Sequence, residues 1–236
     1  MEIETNEKLI KRNGLIGQYT MLASLLVLAG GLFVSFRYQS QVTLSFGLLM
    51  VGFVLSQVGI YFSGRWGRRP RPDELLNQAL KGLDGRYRLY HYRTPASHLL
   101  VGPAGVWVLI PRSQKGIITF SRNRWRQQGG GPLQAYLRVF AQEGLGRPDA
   151  EIDGEVEKVK AYLSKVFPDD TNPIPDVNGA LIFTNPQADV RISEDDVVPA
   201  PTMAADKLKD FVRKMAKGKP ISMERVKELQ EVFSRN

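Results

Sequence analysis

Two charge-free runs decide what this chain can fold into. TMLASLLVLAGGLFVSF lies between Arg12 and Arg37, and VTLSFGLLMVGFVLSQVGIYF lies between Arg37 and Arg65. Each offers roughly 20 apolar residues, enough at about 1.5 Å rise per residue to cross a hydrocarbon core of about 30 Å. A buried hairpin in a soluble protein is the plainer alternative, but soluble cores rarely hold two such runs in succession. The connection, Arg37-Tyr38-Gln39-Ser40-Gln41, is too short for a domain, so the spans are expected to form an antiparallel hairpin.

Orientation follows from the cations. Lys8, Lys11 and Arg12 precede the first run, and Arg65, Arg68, Arg69 and Arg71 follow the second, while the connection has only Arg37. The expectation is a two-pass protein of the inner, cytoplasmic membrane, with both termini and the main domain on the cytoplasmic side. No small-residue cleavage site follows the first run, which argues against a signal peptide. Tyr19, Tyr38, Tyr61 and Trp66 sit where interfacial aromatics belong. Gly52/Ser56 and Gly59/Ser63, four apart, would permit close helix packing. Neither run carries an ionisable residue, so the hairpin reads as an anchor rather than an ion path.

The chain divides into a cytoplasmic N-terminal segment (1–14), the hairpin (15–64), a basic linker (65–72) and a domain over 73–236. The linker arginines, Arg65 to Arg71, suit anionic lipid headgroups. In the domain, Asp73 opens a helix containing Leu75, Leu76 and Leu83. Arg86–Tyr92 alternates as a strand does. Leu99–Val101 and Val106–Ile110 are apolar throughout and flank Gly102-Pro103-Ala104-Gly105, which reads as a central strand pair covered on both faces. Strands over Ile117–Phe120 and up to Trp125, a glycine loop at Gln127–Pro132 and a helix at Leu133–Ala141 follow. Ile152, Val156, Val159, Leu163 and Val166 mark an amphipathic helix over Pro148–Phe167. Strands at Val177–Thr184 and Asp189–Ile192 and two helices complete it, with Ser222 capping the last and Ile221 stapling onto Val226. The expected class is α/β or α+β with a mixed central sheet.

Charge narrows the partners. Lys and Arg number 32 against 24 Asp and Glu, a net charge of +8. No cysteine is present, which removes thiol nucleophiles, Cys-ligated metals and disulfides. From Gly85 to Gln142 there is no acid, yet the stretch holds Arg86, Arg88, Arg93, Arg112, Lys115, Arg122, Arg124, Arg126 and Arg138. Tyr87, Tyr90, Tyr92, Trp107, Phe120 and Trp125 are interleaved with them. Arginine beside aromatics suits phosphate contact and base stacking, and Arg112, Lys115, Arg122, Arg124 and Arg126 are the residues expected to bind nucleic acid or another anion. Lipid, a membrane-protein partner, or a merely solvated basic face fit the same composition. His91 and His98, without a nearby carboxylate in sequence, read as packed or surface residues. No G-x-S-x-G supports a serine hydrolase on Ser97.

The run Leu100–Ile110, LVGPAGVWVLI, with the PRSQKG that follows it, resembles the core of the nuclease-related domain (NERD) family, a branch of the restriction-endonuclease-like fold. Specific likeness is confined to Ser97–Gly116, with weaker echoes at Trp125 and Pro132-Leu133-Gln134, although the element order is similar from Asp73 to Phe233. The resemblance implies one strand opening on Asp-His and the next carrying Glu-x-Lys, whose carboxylates hold a divalent metal. This chain has Ser97-His98 and Ile110-Pro111-Arg112 instead, and only Glu74 matches the family's acidic helix residue. Magnesium needs hard oxygen ligands, which a hydroxyl, a hydrocarbon and a guanidinium do not supply. Pro111, lacking a ladder donor, marks a strand end or an edge.

Three functions follow as expectations. The first is a membrane-anchored, catalytically degenerate nuclease-fold protein, a pseudoenzyme acting by binding or assembly, with no metal or other cofactor. The second is a magnesium-dependent nuclease with relocated carboxylates, Glu74 with Glu143 or Glu151. The third is a structural anchor subunit of a membrane complex. Two or more acids converging beside Ser97, Ile110 and Arg112 would end this argument against hydrolysis.

Overall fold

The computed structural model describes residues 1–122, 124–128, 145–168, 175–192, 198–218 and 220–235. The chain forms two compact units, one of residues 7–71 and one built from Met1–Asn6 and the described residues from Pro72 onward. The expected helix at Leu133–Ala141 and most of the glycine loop lie outside the described residues, although Gln127 and Gln128 belong to a strand.

The first unit is a helical hairpin, α1 (Glu7–Arg37) and α2 (Val42–Phe62), both long and apolar enough to cross a membrane. Its helices meet on small residues. Gly17, Ser24 and Gly31 are buried on α1, continuing Ile10 at the same interval, and Ser45, Gly52 and Gly59 are buried on α2. The interval is seven, the repeat of a left-handed helix pair. The seam therefore differs from the four-residue spacing expected from Gly52/Ser56 and Gly59/Ser63. Backbones approach so closely that a Cβ on Gly52 would stand 2.6 Å from the Leu28 side chain, and one on Gly17 would stand 2.8 Å from Ser63. The outer surfaces reverse the usual pattern of a soluble protein: Phe36 is 80% exposed, Val42 70% and Leu26 66%. After α2 a π-helical turn, Ser63–Gly67, gathers Tyr61, Phe62 and Trp66, with the Arg65 guanidinium 5.3 Å from the Trp66 ring.

The second unit is a mixed sheet of six strands with helices on both faces. In chain order its strands are β1 (Glu2–Thr5), β2 (Arg88–His91), β3 (His98–Gly102), β4 (Gly105–Arg112), β7 (Val177–Phe183) and β9 (Thr202–Ala204), and they are neighbours in that same order. Strand β3 runs antiparallel to β2 and β4, while β1–β2, β4–β7 and β7–β9 are parallel. Strand β1 was not evident in the sequence, where residues 1–14 appear as a segment without an element. It enters the domain's sheet, and the parallel return from β1 to β2 runs through the whole hairpin.

Period-two alternation on β4 builds two cores. Val106, Val108 and Ile110 pack with Ile152, Val156, Val159 and Leu163 of α4 (Pro148–Val166) and with Leu229 and Phe233 of α6 (Met223–Ser234). Trp107 and Leu109 pack on the other face with Leu76 of α3 (Pro72–Ala79) and Leu208 and Val212 of α5 (Ala205–Gly218). Proline 111 does not end β4. The backbone N–H of Thr184 donates to the Arg112 carbonyl at 2.8 Å, so residue 112 faces β7 and residue 111 faces the opposite side, where β3 has already ended. The missing donor thus lies at a local edge inside a central strand.

A second sheet, β5 (Gly116–Ser121), β6 (Arg124–Gln128) and β8 (Ala188–Arg191), has the order β6-β5-β8. Ile118, Trp125, Ala188 and Val190 turn inward onto the α4 core.

Two substitutions test this packing. A Cβ on Gly179 of β7 would sit 2.1 Å from Ile152 Cγ2, so Gly179→Ala should lower stability by about 1–3 kcal/mol in denaturant unfolding. Gly52→Leu should lower the thermal midpoint of the detergent-solubilised chain, whereas Gly30→Leu, whose Cβ meets nothing within 4 Å, should leave it unchanged.

Candidate functional site

The three positions that the family resemblance singles out, Ser97, Ile110 and Arg112, share one face. On β4, Ile110 and Arg112 have the same parity, and on β3 the residues Leu99 and Val101 turn toward the same core as Ile110. That face is covered by α4, whose first two turns bring acids to it. Ser97 donates its backbone N–H to Glu155 Oε2 at 3.0 Å and its hydroxyl to Glu155 Oε1 at 2.7 Å. Arg112 donates to Glu151 Oε2, and Trp125 Nε1 donates to Asp149 Oδ1 at 2.7 Å. Ile110 is buried in the hydrocarbon beside them.

Two acids therefore do reach this place, the condition set above against the binding-only reading, though each arrives already engaged. One carboxylate carries a guanidinium and the other takes both donors of one serine. Helix α3, carrying Glu74, packs on the opposite face of the sheet from α4, so the sheet stands between the helices of Glu74 and Glu151. Glu143 lies outside the described residues. Among the described residues no three of His, Asp and Glu come together in a metal-holding group. A divalent cation takes several hard oxygens at once, whereas the two carboxylates that reach the site are engaged by Arg112 and Ser97.

The signal for Glu155 was in the sequence. It lies three residues after Ile152 and four before Val159, inside the apolar stripe of α4, where an acid is buried only with a partner. The partner, Ser97, is 58 residues away.

The two histidines lie in the interior on the α3 side. Cross-strand partners on β2 and β3, they meet Nδ1 to Nδ1 at 2.8 Å, and His91 Nε2 lies 3.0 Å from Asn77 Oδ1 of α3. With Asn77 Oδ1 as acceptor, neutral His91 donates from Nε2 and accepts at Nδ1, so His98 donates to it. Tyr92, in the left-handed region at φ 57°, closes the turn: its N–H donates to the Ser97 carbonyl at 2.9 Å and its ring lies 4.9 Å from His98. A bulky residue in that conformation is held by its surroundings.

The basic stretch separates into paired and unpaired cations. Arg86 meets Asp84, Arg88 meets Glu2 and Glu4, Arg93 meets Glu4, and Arg112 meets Glu151. Of the residues expected to bind an anion, Arg112 is therefore the one engaged by a carboxylate among the described residues. Lys115, Arg122, Arg124 and Arg126 make no ion pair among the described residues, and all surround the β5–β6 hairpin. Arg138 lies outside the described residues. The interleaved aromatics are interior: Tyr87, Tyr90, Trp107 and Phe120 are buried, and Trp125 packs inward on Phe120 with ring centroids 4.9 Å apart. None of these five rings is exposed beside the arginines, and Tyr92, the sixth, is half-buried against His98.

Arg88 and the β1 acids tie both ends of the chain to β2. The Tyr90 hydroxyl donates to the Gln230 carbonyl at 2.9 Å, and Ser234 Oγ donates to Glu4 Oε1 at 2.6 Å. Burial pushes the Tyr90 hydroxyl above its ordinary pKa, and burial does the same to Tyr87. Compared with known proteins, the chain matches no family model, no curated protein and no solved structure.

Two expectations follow. Glu155→Ala leaves the Ser97 donors without their acceptor and should cost about 1–3 kcal/mol in denaturant unfolding, with Glu155→Gln costing less. A tyrosine pKa raised by folding contributes stability below the unfolded value, near pH 10, and loses it as pH climbs through the folded value. Denaturant midpoints should therefore fall above about pH 10, and Tyr90→Phe should flatten that fall relative to its own value at pH 8.

Proposed function

We propose that this protein is a two-pass, membrane-anchored binding module whose nuclease-like strand ends no longer serve hydrolysis. The observation that carries the reading is the engagement of Glu151 by Arg112 and of Glu155 by Ser97, beside Ser97 and Ile110, the two positions where the nuclease-related family carries its metal-holding carboxylates. A guanidinium already neutralises one acid, and the other is buried against neutral donors. The mixed sheet with helices on both faces supports the restriction-endonuclease-like assignment at the level of architecture.

Membrane anchoring is supported by the inverted surface of the hairpin, with small residues in the seam and large apolar ones outside. In water that surface would associate; in lipid it is at home. Strand β1 adds a topological argument. Because β1 lies in the same sheet as β2, the chain enters and leaves the hairpin from one domain, so two crossings return it to the side where it began. The excess of cations at both hairpin ends supports the cytoplasm as that side. Arg65 to Arg71 then meet anionic headgroups, with Tyr61, Phe62 and Trp66 at the interface depth.

The cations of the β5–β6 hairpin that make no ion pair among the described residues support an anion-binding module over a purely structural anchor. Nucleic acid, if bound, is contacted through phosphate and not by stacking.

The test uses the full chain in detergent micelles. Incubated with DNA or RNA and Mg²⁺ or Mn²⁺, it should cleave neither, and Mn²⁺ should leave its thermal midpoint unmoved. Cleavage, or a Mn²⁺-dependent rise in the midpoint that Glu155→Gln abolishes, would replace this reading with a metal-dependent nuclease on relocated carboxylates.

A further inference from the structure

The outer face of the small sheet carries arginines on two of its three strands. Register fixes its layout. Thr119 of β5 stands between Arg126 of β6 and Arg191 of β8 in one cross-strand row, and Ser121 stands opposite Arg124 in the next. At about 4.8 Å between strands, the two arginine Cα atoms are about 9.6 Å apart with a hydroxyl midway. Thr119, Ser121, Arg126, Gln128 and Arg191, with Phe120 and Ile192, line a concavity of about 480 Å³, the Phe120 ring itself being buried. Their neighbours on the inner face, Ile118 and Phe120, are buried in the core, so the backbone beneath is rigid.

The charges on this face do not cancel. Arg191 is held by Asp189, with Nη2 to Oδ2 at 2.6 Å, and Asp189 is the one acid that the strands of this sheet contribute among the described residues. Arg124 and Arg126 are exposed and make no ion pair among the described residues. Arg122 extends the cationic edge at the hairpin tip, in the left-handed region at φ 50°, a position that glycine or asparagine fills at less cost.

Two guanidiniums across a hydroxyl match a tetrahedral oxyanion: arginine offers paired donors to two oxygens at once, and threonine and serine donate to the others. The concavity has the size of a small-ligand site. It carries no exposed aromatic ring, so a base has nothing to stack upon. We propose that this face recognises a phosphate group, gripped by Arg126 and Arg191 over Thr119 and Ser121 and presented by a lipid headgroup or by a soluble phosphate ester. The assignment rests on reading the domain as a binding module and names its ligand.

The experiment uses the full chain in dodecyl maltoside micelles, with inorganic pyrophosphate as the soluble probe and a short-chain phosphatidic acid, added to the micelles, as the headgroup probe. At least one should bind by calorimetry. Arg126→Gln should weaken that binding about tenfold, the loss expected for one charge-assisted arginine contact, and Arg126→Gln with Arg191→Gln should abolish it. Arg213→Gln, an exposed arginine on α5, should leave it unchanged. Binding of phosphatidic acid alone identifies a headgroup, and binding of pyrophosphate identifies a soluble ester. Binding of both probes that Arg126→Gln does not weaken, or binding of a DNA duplex but of neither probe, overturns the proposal. Nuclease activity on the same preparation would strike the underlying reading instead, so the two failures are distinguishable.

Discussion

The parallel pairing of β4 with β7, seven residues from Val106↔Val177 to Arg112↔Phe183, sets where the other side chains can go. Strand β4 is buried on both faces and paired on both sides along its first half. A strand so enclosed has no water to satisfy its backbone, so every N–H and C=O must be matched by a neighbour, and a one-residue slip would exchange its two cores. Proline 111 fits only because β3 stops short of it. The same register carries Ile110 and Arg112 to the α4 side, where Glu151 and Glu155 arrive one turn apart.

Electrostatics in this domain are long-range in sequence and short-range in space. The acid-free stretch from Gly85 to Gln142 looks like one basic surface, yet its arginines serve different ends. Those on β2 and β4 are neutralised by β1 and by α4, both outside the stretch. Those on the β5–β6 hairpin meet no acid among the described residues, since the inner face of that sheet is spent on the core and Asp189 is the one described acid that its strands supply. A half-buried arginine without a partner would cost far more than an exposed one, and the half-buried Arg88 and Arg112 are both paired.

The two units obey one rule with opposite outcomes. In the sheet domain, water drives large apolar side chains inward and leaves charge outside. In the hairpin, large apolar residues face outward and Gly17, Ser24, Gly31, Ser45, Gly52 and Gly59 form the seam. Such a seam gains little from hiding hydrocarbon and much from close backbone contact, as expected of helices long and apolar enough to cross a membrane. Chain connectivity joins the two, since β1 leads directly into α1.

By itself the sequence determined the elements whose signal is local: two helices from uninterrupted hydrocarbon, a doubly covered strand pair from continuous apolar runs, and α4 from its spacing of four and three. Their periods are set by backbone geometry within a few residues. Strand β1 escaped because four residues of EIET carry too little pattern, and the seven-residue seam of the hairpin escaped because glycines mark it more faintly than leucines would. Which arginine is paired, which aromatic is core and what stands beside Ser97 were decided only by tertiary structure. Glu155 lies 58 residues from Ser97 and Glu4 lies 230 from Ser234. Hydrogen bonds and ion pairs act over a few ångströms of space, and no composition or spacing along the chain encodes a distance that folding has yet to create.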